Sequence, residues 1–256
     1  MDYPAQLFTR QQIAEMTGID SSTLNYWMRE GVLRASEGGA GKGSHRRFGY
    51  QEINLAALLH ELRQFGIGTV ALARLARRFH HALDWMAERG ISNDNLNRVF
   101  SAYLIRQKII KEGFYQWRIT REEERSHFAG HEQIVDGHGW VWVDLDWEQA
   151  VAFWFRPRSN PHPEFELVPE EIAMVGSWQT EADLRAFRDN QDYFSAISSI
   201  NLREIGDEYQ SDPRYFYRDA DGDLTLTPDR DVTQRTVGFI GIDTELLTYR
   251  LWSGRL

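Results

Sequence analysis

Apolar positions recur with a helical period in two short blocks at the start of the chain. Thr9 precedes RQQIAEMTG, in which Ile13, Ala14 and Met16 supply an apolar face and Gln12 stands three residues after the threonine. That spacing predicts a capping box, in which the hydroxyl and the amide each satisfy an orphan backbone N–H. Gly18 offers the positive φ that ends such a helix. Asp20-Ser21-Ser22 then supplies N-cap residue types before TLNYWMRE and Gly31. Leu24, Trp27 and Met28 fall at spacings of three and four, which places them on a core face. Ser21, Ser22, Thr23, Asn25, Tyr26 and Arg29 are left near the outer face. Two short helices joined by a turn containing glycine describe a helix-turn-helix.

The next stretch breaks the periodicity. Residues 34–50, RASEGGAGKGSHRRFGY, hold Arg34, Lys42, Arg46 and Arg47 against one acid, Glu37, and concentrate glycine between positions 38 and 43. A glycine-rich tip flanked by basic, β-prone residues predicts a two-stranded hairpin, a wing that lies against phosphates. GGAGKGS is not a phosphate-binding loop, because Gly43 stands where serine or threonine must follow the lysine. Helical periodicity then returns in Ile53, Leu55, Ala56, Leu58, Leu59 and Leu62. After a break at Phe65-Gly66-Ile67-Gly68 it resumes in TVALARLARRF, with Val70, Leu72, Leu75 and Phe79 as the expected buried stripe.

In FTRQQIAEMTGIDSSTLNYWMREGVL, the basic RRF and QEINLAALLHELRQFGIG, the chain resembles the MerR family of winged helix-turn-helix regulators over about residues 7–80. The resemblance implies that the second helix enters the major groove through Ser21, Ser22, Thr23, Asn25 and Tyr26. It also implies that Arg46 and Arg47, with Lys42 and His45, grip the backbone or edge the minor groove, and that Tyr26 touches phosphate. The family usually has arginine where this chain has Asn25 and a second tyrosine where it has Trp27. Asparagine can make a bidentate contact with adenine, so the departure bears on which sequence is read.

Residues 80–91 are expected to continue or cap the helical region, with adjacent His80 and His81 on an ordinary surface. Ser92-Asn93-Asp94 caps a helix whose stripe is Leu96, Val99, Phe100, Tyr103, Leu104 and Ile110. The resemblance makes this stripe a candidate for dimerisation; docking on the following domain explains it equally well. Beyond Gly113 aromatic residues rise from 9 in residues 1–90 to 24 in residues 91–256. FYQWRIT, WVWVDLD, AVAFWF, EFELV, DLTLT, TVGFIGI and LLTYRLW read as strands around a helix at TEADLRAFRDNQDYFSAISSI. The fold class is therefore α+β. An N-terminal helical domain (1–80), a connector (81–112) and an acidic domain with a mainly antiparallel sheet (113–256) follow in order.

In the run from Trp140 to Trp147 a period of two separates Val141, Val143, Leu145 and Trp147 from Trp140, Trp142, Asp144 and Asp146. Rings beside carboxylates can hold a cationic or planar ligand. The bland alternative is that the tryptophans pack beneath a helix and the aspartates cap a turn. His127, His131 and His138, with Glu132 and Asp136 between them, read as a polar loop before a metal site. Asp219, Asp221, Asp223, Asp229 and Asp231 read as solvated turns, since Gly222 does not stand where a calcium loop needs its glycine.

A formal net charge of -9 divides unevenly. Residues 1–90 hold 11 Lys/Arg and 9 Asp/Glu, whereas residues 91–256 hold 18 and 29. The cations are spent locally on the segment expected to meet DNA. The chain has no cysteine, which excludes thiolate metal sites, disulfides and thiol redox sensing. No membrane span, signal peptide, cofactor motif or catalytic fingerprint is present in the sequence. The expected protein is a cytoplasmic, sequence-specific DNA-binding transcriptional regulator and not an enzyme. It would act on double-stranded DNA as a homodimer, with a tail that senses an effector or contacts RNA polymerase or another protein. The rivals are an excisionase-like architectural accessory protein and an enzyme tethered to DNA.

Overall fold

A computed structural model describes residues 6–38, 46–119, 128–131, 133–154, 168–198, 213–228 and 238–253. Lys42, His45, His127, Glu132, Asp229, Asp231 and most of EFELV lie outside the described residues. The chain forms two compact units, residues 1–88 together with 189–256, and residues 89–188. The sequence places boundaries at 80 and 112, whereas these units divide the chain after residues 88 and 188.

The first unit opens with α1 (Arg10–Thr17) and α2 (Ser21–Arg29). Thr9 and Gln12 form the expected reciprocal capping box, and Gly18 ends α1 at φ 70°. Asp20 caps α2 by accepting from the Thr23 amide at 2.9 Å. Next come α3 (Tyr50–Gln64) and α4 (Thr69–Glu88). The stripe on α4 is Leu72, Leu75, Ala76 and Phe79, while Val70 in its first turn is exposed. His80 corrects the surface reading: it is buried, and its Nε2 lies 2.9 Å from Glu52 Oε1 on α3.

The tail supplies the rest of this unit. Residues from Asp189 onward in α8 (Glu181–Ser198), the strands β4 (Arg214–Arg218), β5 (Leu224–Thr227) and β6 (Phe239–Ile242), and α9 (Thr244–Ser253) belong to it. The sheet order is β5-β4-β6, antiparallel throughout, with Phe216 opposite both Leu226 and Ile240. Its residues share one core with the N-terminal helices: Tyr193, Ile197, Phe216, Leu226, Leu251 and Trp252 join Phe8, Leu24, Trp27 and Phe79. The Phe79 and Tyr193 rings meet edge to face at 5.0 Å, as do Phe8 and Trp252 at 5.5 Å. LLTYRLW is helical in α9, not a strand, because Asp243 accepts from the Leu246 amide at 2.8 Å and starts a helix there.

The second unit holds α5 (Leu96–Glu112), β1 (Tyr115–Ile119), β2 (Gln133–Val135), β3 (Val141–Leu145), α6 (Trp147–Trp154) and α7 (Pro169–Gly176), with the first part of α8. Its antiparallel sheet runs β1-β3-β2. Tyr103 of α5 lies 4.9 Å from Phe187 and 6.4 Å from Trp178, ring to ring. Arg98 clasps the buried Glu171 at 2.8 and 3.2 Å. Part of the α5 stripe is thus covered within its own unit, while Leu104 is exposed. Residues 150–154 of AVAFWF, read as a strand, lie in α6, and Phe155 lies outside the described residues. The start of α6 is a second capping box, in which Asp146 and Gln149 exchange backbone-to-side-chain bonds at 2.8 and 2.9 Å. Gly176 closes α7 where a Cβ would stand 2.8 Å from the Trp147 indole nitrogen.

Candidate nucleic-acid interface

Trp27 and Leu24 are each 1% exposed, so they pin the inner face of α2 and fix which side chains the helix presents outward. Ser21, Ser22, Asn25, Tyr26 and Arg29 are exposed. Thr23 is not. It is buried, its hydroxyl donates to Asp20 Oδ2 at 2.7 Å, and it accepts from Arg63 of α3 at 2.8 Å. Its role is to fasten the start of α2 rather than to reach outward. The Ser22 hydroxyl also donates to Asp20. These hydroxyl bonds, led by Ser22, hold the Asp20 carboxyl well below the usual carboxylate range. The Arg29 guanidinium stands 5.1 Å from the Tyr26 ring centroid and contacts Glu30 at 3.1 Å.

Arg10, the first residue of α1, carries no sequence signal of a role at this surface. Its guanidinium donates to Asn25 Oδ1 on the exposed surface. No motif marks this pair, since it joins residues fifteen apart on two helices.

The base of the basic hairpin is paired. Ser36 N donates to Arg47 O at 2.8 Å, Arg47 N donates to Glu37 O at 3.0 Å, and Phe8 pairs with Phe48. Phe48 is fully buried and anchors this base, leaving Arg46 and Arg47 half-buried beside it. Arg34, counted among the cations of this stretch, is engaged elsewhere. It grips Asp84 of α4 with two bonds of 2.7 and 2.8 Å, and its amide donates to Glu52 at 2.9 Å. Glu52 therefore ties the hairpin's entry to α3, with His80 of α4 on its other oxygen.

On α4, Arg74 meets Asp223 at 2.6 Å and Arg78 meets Asp219 at 3.1 Å. The aspartates sit in the β4–β5 turn, where Gly222 takes φ 78°. A cleft of about 720 Å³ in the first unit is walled by Ile67, Phe216, Tyr217, Leu224, Phe239 and Ile240. Burial pushes the Tyr217 hydroxyl's pKa above its ordinary value.

In the second unit the aromatic–acid strand has partners within the chain. The alternation holds in burial, with Val143 and Leu145 fully buried, but Trp147 begins α6 instead of continuing the strand. Arg118 lies 4.3 Å from the Trp140 ring centroid, where a ligand cation would stand. The Trp142 indole donates to Asp136 at 2.9 Å, Asp144 accepts from Gln116 at 3.2 Å, and Asp146 caps α6. Among the described residues no group of acids and histidines could hold a metal ion, and no helix is long and apolar enough to cross a membrane.

No curated protein matches the chain. Over just over a quarter of its length, residues 8–78, which span α1, α2, the basic hairpin, α3 and the first half of α4, the chain matches the model of the MerR HTH family regulatory protein, a DNA-binding helix-turn-helix segment.

Proposed function

We propose that this chain is a sequence-specific transcription regulator that binds double-stranded DNA as a homodimer in the cytoplasm. In this reading α2 enters the major groove and the basic segment closed by the pairing of residues 36–37 with Arg47 acts as a wing along the phosphates. The observation that carries it is the construction of α2. One face is locked into the core by Leu24 and Trp27, and the other presents Ser21, Asn25, Tyr26 and Arg29, with Arg46 and Arg47 at the hairpin base. Helix residues on a rigid mount read base edges, while the arginines hold backbone without reading sequence.

The tail is proposed to sense an effector. The aromatic-walled cleft supports this, because its walls come from the sheet strands and from Ile67 between α3 and α4. A small apolar or aromatic molecule suits such walls. A thermal-shift screen of aromatic compounds on the intact protein checks it; stabilisation lost in Phe239→Ala is the expected result.

The DNA-binding reading is tested by mobility-shift titration at several salt concentrations. Arg46→Ala/Arg47→Ala should weaken binding to all duplexes alike and lower the salt slope by about two per protomer. Unchanged affinity removes the hairpin from the mechanism.

A further inference from the structure

Arg10 and Asn25 meet on the exposed surface shared by α1 and α2, and their contact has only one chemically allowed polarity. A guanidinium carries five N–H donors and no acceptor, so the amide oxygen of Asn25 must face it. The Arg10 Nη1 to Asn25 Oδ1 bond is thereby a device that turns the amide NH₂ away from Arg10. Among the described residues Arg10 forms no ion pair, so no described acid cancels its charge. Its neighbour Gln11 is bound to Glu15 and does not compete for it.

This polarity bears on which base the pair can read. Asparagine reads adenine with both halves of its amide, donating to N7 and accepting from the N6 amine. Here the accepting half faces the guanidinium, and an adenine N6 amine brought there would meet a second donor. The amide oxygen keeps one further lone pair, but with the guanidinium on it the open face of the pair is dominated by donors: the Asn25 NH₂ and the remaining Arg10 N–H groups. In the major groove guanine presents two acceptors side by side, N7 and O6, and is the base that a donor-rich surface fits best.

We propose that Arg10 and Asn25 form one composite reading element that selects guanine over adenine at the base pair facing the start of α2. This rests on the reading that α2 enters the major groove. The test is competition binding of the full chain to its selected duplex, with every position of the site substituted in turn. The wild type should require guanine at one position per half-site, with adenine there costing about tenfold or more in affinity. Arg10→Ala and Asn25→Ala should each erase the preference at that same position and at no other, and the double variant should lose no more than either single one. Asn25→Asp, which keeps a partner for Arg10 but removes the NH₂ donors, should also lose it. Both side chains are exposed, so these variants should melt within a few degrees of the wild type.

Uniform weakening on all duplexes in Arg10→Ala, with the base preference intact, assigns Arg10 to phosphate and overturns the proposal. An adenine requirement that disappears in Asn25→Ala overturns it as well. Wild-type protein that binds every duplex alike fails at the earlier step, the major-groove reading itself.

Discussion

Asn54 of α3 is 2% exposed and has both halves of its amide in use. It accepts from the Trp252 indole at 2.8 Å and donates to the Ile197 carbonyl at 2.8 Å. Leucine at this position matches the size but strands a buried N–H and a buried C=O. Asn54→Leu should therefore cost about 2–4 kcal/mol, read as a lower urea midpoint at unchanged m-value. Two acids of the first unit contribute to an acid limit. Hydroxyls led by Ser22 depress Asp20, and the Arg34 guanidinium depresses Asp84. Their folded pKa values lie below the unfolded ones, so the stabilisation is fully present above the unfolded value near about 4. It is lost as pH falls through the folded values. The melting temperature should fall as pH is lowered below about 4, and Asp84→Asn should shallow that fall; an identical profile in the variant would assign the acid sensitivity to other groups. Thr23 and Arg10 show what sequence pattern leaves out at this scale. A hydroxyl in the first turn of a helix serves the cap as readily as a ligand, and a contact between side chains fifteen residues apart has no period to reveal it.

At the scale of elements, caps and periods decided what was legible. The Thr9–Gln12 box, Gly18, the core face of α2 and the strands β1, β3, β5 and β6 could be read from residue spacing. The runs AVAFWF and LLTYRLW could not, because a short continuous apolar run fits a buried strand and a buried helix equally. The information lay just upstream, in Asp146 with Gln149 and in Asp243, each supplying a side chain to the first turn. Asp146→Ala should cost about 1 kcal/mol of stability in chemical unfolding; no change would mean that packing alone holds α6. The burial of His80 is hidden from the sequence for a related reason. Adjacent histidines look like surface until a buried acid, here Glu52, is brought beside one of them by the turn between α3 and α4.

Across the whole molecule, the division of charge acquires a local meaning. Within the first unit, Asp219 and Asp223 of the tail neutralise Arg78 and Arg74 on α4, and Asp84 neutralises Arg34. Among the described residues, cations on the helix-turn-helix face without such an acid from the tail or α4 include Arg10, Arg29, Arg46 and Arg47, of which Arg29 is beside Glu30. That the last part of the chain would share a core with the first 88 residues was not visible, because no local pattern records which apolar face meets which. Ile197, Phe216, Leu251 and Trp252 belong to that shared core. A fragment ending at residue 88 should accordingly melt at a lower temperature than the intact chain, as followed by circular dichroism. The central claim, that this chain reads DNA sequence through α2, is tested most directly by selecting from a pool of randomised duplexes with the intact protein. The account predicts enrichment of an inverted repeat bound by two protomers, with half-sites a whole number of helical turns apart. It also predicts that Tyr26→Ala or Asn25→Ala degrades that enrichment. Recovery of no preferred sequence, or the same sequence from variants of α2, would contradict it.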